Sequence, residues 1–229
     1  MEFYNFSDDS NVSTVFEKLA QKPILVHLNN VYALVSLASD SGINSLDEVK
    51  LRKRGKCYGS MVSQISQFIR ESTLDATTKH SLTLLGESGV LENSFLRLPW
   101  NETLQDGLIM NRTHQGLILS EPIRSFCSCL ESILQEKSSD VLLPRLICSS
   151  ANISGDENGS ITSRNEAIEF GIFRKIELFV EFNFDQESTV KGSFPIFSFN
   201  DMTFEVERDG PNREIIEEKL IDAGLRKLG

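Results

Sequence analysis

Apolar residues recur along the chain at two periods, and these predict its elements. Val12, Val15, Phe16 and Leu19 fall on one face at helical spacing, which predicts a short amphipathic helix from Asn11 to Gln21. Pro23 to Leu28 reads as a short buried strand. Asn29 and Asn30 interrupt it, and Val31 to Ala38 is apolar again, as helix or strand. Ser45 is the expected N-cap of a helix running to about Arg54, with Asp47 and Glu48 in its first turn and basic residues at its end. A short segment, Cys57 to Val62, precedes a helix from Ser63 to Glu71. Residues 72–115 show no clear period: short helices and loops are expected around Trp100, then a strand from Leu108 to Asn111.

The second half is more regular. Gly116 to Leu119 predicts a strand, and Pro122 to Glu136 a helix with Phe126, Leu130, Ile133 and Leu134 on its apolar face. Val141 to Ser149 predicts another strand, followed by a loop over 156–161. Ser163 with Glu166 forms a capping-box pattern for a helix to about Phe170. Leu178, Val180, Phe182 and Phe184 alternate as in a half-buried strand. Phe194 to Phe199 and Thr203 to Arg208 read as a hairpin turning at Asn200-Asp201, and Arg213 to Leu228 as a terminal amphipathic helix. No repeat, linker or low-complexity tract divides these elements. The expectation is a single α/β domain over 1–229, with a twisted mixed parallel/antiparallel sheet and helices packed on it.

Composition narrows the class. With 40% hydrophobic and 24% charged residues, the 229-residue chain reads as globular, and no segment has the apolar length of a membrane span. The acidic start, Met1 to Ser13, lacks the basic region of a signal peptide, and the four cysteines (Cys57, Cys127, Cys129, Cys148) have neither metal spacing nor disulfide-framework density. A cytoplasmic protein with reduced thiols is expected. The net charge of −10 argues against a generic nucleic-acid-binding surface but leaves room for a local basic pocket. Lys50, Arg52, Lys53, Arg54 and Lys56 form such a cluster with no acid among them.

The chemistry concentrates at two places. Ser149 to Gly155, reading SSANISG, ends an apolar strand in small polar residues. Hydroxyls, an amide and backbone N–H groups gathered at one point suit a phosphate or carboxylate; the same residues also serve as a strand-to-turn cap. The basic run is either a source of charge for an anion or a solvated helix end favoured by the macrodipole. No P-loop, Rossmann glycine pattern, nucleophile elbow or H-E-x-x-H occurs, and no metal-ligating set is evident.

Four landmarks, in order across nearly the whole chain, resemble the YrdC-like family, the threonylcarbamoyl-adenylate synthases of tRNA modification. Ser150-Ala151-Asn152 matches the family's S-x-N element and is followed by I-S-G. Lys50-Leu51-Arg52, continued by Lys56, falls where the family carries K-x-R. Val31-Tyr32-Ala33-Leu34 is similar to V-Y-G-L, and Glu207-Arg208-Asp209-Gly210 to L-R-x-G with its closing helix. The resemblance implies an adenylyl transfer: threonine and bicarbonate form a carbamate that attacks ATP, with Mg²⁺ on the phosphates. Under it Lys50 and Arg52 would be catalytic, Lys56, Ser150, Asn152 and Arg208 would bind nucleotide, and Asn30 and Tyr32 would meet the amino acid.

The chain also departs from the family's pattern. His27, Leu28, Asn29 and Asn30 replace P-T-D/E-T, only Trp100 remains of W-P-G-P-x-T, and Ser193 to Ser198, SFPIFS, replaces P-S-T-I-V-D. Each candidate has a plainer reading: Arg208 as a surface ion pair with Glu205, Glu207 or Asp209, Tyr32 as a core aromatic, Asn29-Asn30 as a turn, His27 as structural. Two functions follow: a carbamoyl-adenylate-forming enzyme, or a non-catalytic relative that binds nucleotide or RNA.

Overall fold

The computed structural model describes residues 1–6, 12–52, 57–101, 107–137, 146–155, 159–184 and 188–228. Lys56, Lys53 and Arg54, and the first residues of the expected 141–149 strand, lie outside them.

The first half contains β1 (Glu2–Phe6), α1 (Val12–Leu19), β2 (Ile24–His27), β3 (Tyr32–Leu37), α2 (Asp40–Lys50), β4 (Gly59–Val62), α3 (Ile65–Glu71), α4 (Ala76–Glu87) and β5 (Ser94–Pro99). Then come β6 (Ile109–Met110), β7 (Thr113–Ile118), α5 (Ile123–Lys137), β8 (Leu146–Ser150), α6 (Arg164–Phe173), β9 (Leu178–Phe182), β10 (Ile196–Asn200), β11 (Thr203–Arg208), α7 (Arg213–Asp222) and β12 (Arg226–Lys227). The strands form one 12-stranded sheet in the order β1-β9-β2-β3-β8-β4-β7-β5-β10-β11-β12, with β6 paired to β7. Parallel pairs (β1·β9, β4·β7, β5·β10) and antiparallel pairs (β2·β3, β3·β8, β5·β7) mix, as expected of this α/β fold.

Alternation along the strands divides the side chains between two faces. On one face Ala33, Val35, Met61, Leu117 and Cys148 join the buried sides of α1 and α5 in a common cluster. Val15 and Phe16 of α1 and Phe126, Leu130 and Leu134 of α5 supply its outer layer, each contributing roughly 1.5–3 kcal/mol by burial. On the other face α3, α4 and α7 cover Leu96, Leu98, Ile118, Phe197 and Phe204, while Tyr32, Leu34, Ile147 and Phe179 pack under α2 and α6.

Several expected boundaries move. The segment 31–38 is strand, because it pairs with both β2 and β8. α2 begins at Asp40, not after Ser45: Ser39 Oγ accepts from Gly42 N at 3.1 Å and caps it. It ends at Lys50, since Leu51 takes a left-handed conformation (φ 49°). Within the unreadable stretch lie α4, capped by the Asp75 carboxylate on Thr77 and Thr78 N–H, and β5. The strand expected over 108–111 is only the two-residue β6. Ser163 caps α6 by position but makes no side-chain capping bond, and the helix reaches Phe173. The terminal helix stops at Asp222, because Gly224 (φ 87°) turns the chain so that Arg226 and Lys227 run parallel to β11.

Candidate functional site

The face that carries α1 and α5 is not covered along its whole length. Beyond the helices a cavity of about 270 Å³ opens over the middle of the sheet, floored by Ala33, Gly59, Leu117, Cys148, Phe95 and Ile196. The register explains this assembly. Gly59 pairs with Cys148, Phe95 with Leu117, and Ile196 with both Phe95 and Arg208, so one row of residues runs across neighbouring strands. Gly59 makes room in that row: a Cβ there would stand 2.7 Å from Phe95 Cε1.

Three arginines converge on the cavity wall: Arg52 just after α2, Arg97 from β5 and Arg208 from β11. Arg52 donates from Nη2 to Cys57 O at 2.7 Å and from Nη1 to Ser149 Oγ at 3.4 Å, with its guanidinium 4.0 Å above the Tyr58 ring. Arg208 donates from Nε and Nη2 to Phe194 O at 2.9 and 2.6 Å and lies 5.5 Å from the Phe95 ring centre. Desolvation of that guanidinium, and secondarily the charge of Arg97, lower its pKa. Arg97 donates from Nη2 to Gln115 Oε1 at 2.7 Å and pairs with Glu207. Ser149, Ser150 and Ser193 add hydroxyls, and among the described residues no carboxylate lines the cavity itself, although Glu207 stands behind Arg97. A wall this positive on a chain of net charge −10 suits an anionic ligand, and the Phe95–Phe194 side suits an apolar or flat group beside the anion.

The other predicted site residues lie elsewhere. Lys50 is 2% exposed and its ammonium donates to Ser150 O, to Asn152 O at 2.9 Å and to Asn152 Oδ1 at 2.9 Å. It pins the end of α2 to the SSANISG turn and does not line the cavity. Asn152 serves the same turn: Oδ1 also accepts from Ser150 Oγ at 2.8 Å, and Nδ2 donates to Gly159 O at 2.9 Å. Leu28 and Val31 line the cavity where Asn30 and Tyr32 were expected. Tyr32 points to the opposite face from Ala33, stacked on His27 with ring centres 4.6 Å apart. Asn30 is buried in a turn whose carbonyl accepts from Gly192 N at 3.1 Å. Trp100 is stacked on Phe68 on the far face of the sheet. Arg52, Ser150 and Arg208 are therefore brought together. Arg97 and Gln115 join them, although no sequence motif marks either residue; the signal was the alternation in Ser94–Pro99, which sets Phe95 and Arg97 against Leu96 and Leu98.

Burial pushes the Cys148 thiol up to about 12 and also raises Cys57, against the pull of Arg52 and Arg97. The cavity thiols are thus protonated near neutrality. Among the described residues no group of three His, Cys, Asp or Glu side chains could hold a metal ion, and no helix is long and apolar enough to cross a membrane.

His114, on the far face, is fully buried between Ser60 Oγ (2.8 Å from Nε2) and Leu108 O (2.9 Å from Nδ1). A carbonyl only accepts, so Nδ1 carries a proton, and in the neutral ring Nε2 accepts from Ser60 Oγ. Burial lowers its pKa from 6.5 to about 4. Between those values the unfolded chain binds a proton that the folded chain does not, so stability should fall as pH drops through the interval. Urea melts of the protein and of His114→Gln across that range check this: the variant should show the shallower loss, and equal slopes would contradict it.

No family model and no curated protein matches the chain. Solved structures do. Sua5 of P. abyssi complexed with L-threonine superposes with a TM-score of 0.75 at 17% identity, covering 100% of this chain and 63% of that one. E. coli YciO gives a TM-score of 0.65 at 15% identity, covering 92% and 96%. Full-length HypF in its phosphate- and nucleotide-bound form gives 0.59 at 16% identity, covering 86% and 28%. The chain spans about 62–63% of the length of the Sua5 chains it matches. At these identities the likeness is one of fold: the sequence-read resemblance to the YrdC-like family, to which Sua5 and YciO belong, holds in three dimensions.

Proposed function

We propose that the arginine-walled cavity binds ATP and that the chain forms a carbamoyl-type adenylate, with threonine as the default amino acid, for tRNA threonylcarbamoyladenosine modification. The observation that carries this reading is the convergence of Arg52, Arg97 and Arg208 on one cavity. The L-threonine complex of Sua5 and the nucleotide-bound form of HypF, on the same fold, support it. Threonine's amino group forms a bond to the carbon of bicarbonate, and water leaves to give a carbamate. Its oxygen forms a bond to the α-phosphorus of ATP as the bond to the β-phosphate oxygen breaks, and pyrophosphate leaves. The chain's own part is to hold the phosphates and to neutralise charge that builds on their oxygens. Arg52 and Arg208, anchored on Cys57 O and Phe194 O, are already oriented for that work.

Mg²⁺, which the resemblance implies, finds no protein cage among the described residues, where no carboxylate lines the cavity. It would ride on the phosphates of ATP and supply charge neutralisation there.

A second reading has its own support. Phe194 and Pro195 stand where the family has hydroxyls, and Ser188 to Gly192 closes over the Asn29-Asn30 turn, with Ser188 N on Asn29 Oδ1 at 2.9 Å. That favours a relative that binds nucleotide or RNA without adenylation. Pyrophosphate release from ATP and Mg²⁺ in bicarbonate, with and without threonine, separates the two. Threonine-dependent release is expected. ATP binding with no release for any amino acid would put the second reading in its place.

A further inference from the structure

Arg97 is the least settled cation of the cavity. Its side chain is only 12% exposed, yet Nε is buried without an aligned acceptor: Glu207 Oε2 lies 2.9 Å away but off the N–H direction. Nη2 is held by Gln115. Glu207 reaches this place because of an irregularity in the β10–β11 pairing. Ile196 pairs with Arg208 and Phe197 with Val206, which leaves Glu207 as the extra residue of a β-bulge. A bulge breaks the two-residue alternation, so neighbouring side chains can be turned to one side of the sheet. Here it brings Glu207 to Arg97 while Arg208 faces the cavity.

We propose that Arg97 is an anion-binding residue and that Glu207 is its placeholder, a carboxylate that occupies the guanidinium until a ligand oxygen takes its place. This rests on the reading of the cavity as an anion site and gives its third cation, positioned by Gln115, a direct contact with the ligand that Glu207 holds in reserve. Three guanidiniums around one part-buried space repel one another, and one misaligned carboxylate relieves that repulsion incompletely. An incoming phosphate oxygen offers Arg97 the alignment that Glu207 lacks. The side chain of Glu207 is 32% exposed, so it can swing toward solvent when displaced.

The test is calorimetric titration of inorganic pyrophosphate and of ATP into the full chain and into Arg97→Gln, Glu207→Gln and the double variant. Arg97→Gln should weaken pyrophosphate binding ~10-fold or more, and Glu207→Gln should tighten it ~3- to 10-fold. In the Arg97→Gln background the Glu207 substitution should change affinity by less than ~2-fold, because no competition is left to relieve. A weaker or unchanged Glu207→Gln would overturn the proposal, as would an equal gain in both backgrounds, which would mean only the removal of a distant charge. Glu207 is exposed, so this readout does not depend on whether Arg97→Gln folds well. ATP binding that ignores Arg97 sinks this inference and spares the nucleotide reading. Pyrophosphate binding with the expected pattern but no ATP binding does the reverse. Binding of neither removes both.

Discussion

Lys50→Met is expected to cost about 3 kcal/mol of folding stability, because it removes a charged donor from three part-buried acceptor oxygens at once. Two are backbone carbonyls, of Ser150 and Asn152, and one is Asn152 Oδ1. Asn152 Oδ1 keeps its bond from Ser150 Oγ and Ser150 O its bond from Asn152 N, so the Asn152 carbonyl bears most of the loss, and methionine restores volume without a donor. In a domain of this size that corresponds to a melting temperature lower by ~10 °C. Calorimetry or a thermal melt followed by circular dichroism checks it. The result bears on function as well, since the sequence marks Lys50 as a phosphate-binding, catalytic lysine. A variant that kept its melting temperature and lost ATP affinity would restore that role. A large loss of stability makes Lys50 the pin of the SSANISG turn, acting on the site through the position of Ser150.

Replacing Arg52 and Arg208 together by alanine is expected to lower ATP affinity by ~10³-fold. Each removes a charge-assisted interaction worth roughly 1.5–3 kcal/mol, and the two lie on separate elements, after α2 and at the end of β11, and share no hydrogen-bond partner. The melting temperature should change by only a few degrees, since Arg208 bonds to the Phe194 carbonyl and Arg52 to the Cys57 carbonyl and, more weakly, to Ser149 Oγ, all at the border of the cavity. Titration of ATP into the single and double variants measures this. Affinity within ~3-fold of the unsubstituted protein would place the nucleotide elsewhere.

Where the sequence was readable, burial explains why. β8 and the β10–β11 hairpin are apolar runs bounded by turn residues, and α1 and α5 each bury one clean stripe. α4 was not readable because only Thr78, Leu82 and Gly86 of its residues are buried, a face too weak to stand out. β5 was missed because Arg97 interrupts its apolar run, and the charge is there to face a cavity. The start of α2 was placed at Ser45 because Asp47 and Glu48 follow it as a first turn should, whereas the true cap, Ser39, precedes a turn that contains Gly42, a poor helix former. In the structure Gly42 is required inside the helix, since a Cβ there would stand 2.1 Å from Leu37 O. The site divides the same way. Arg52, Ser150 and Arg208 belong to motifs and line the cavity. The burial of Lys50 depends on oxygens 100 and 102 residues away, and the approach of Glu207 to Arg97 on a bulge. Neither relation leaves a local pattern.

A crystal structure of the protein with a non-hydrolysable ATP analogue tests the central claim most directly. Phosphate oxygens within hydrogen-bonding distance of Arg52 and Arg208 in the cavity over β4, β5 and β7 are the predicted result. An analogue bound at any other surface, or an empty cavity at saturating concentration, would contradict it.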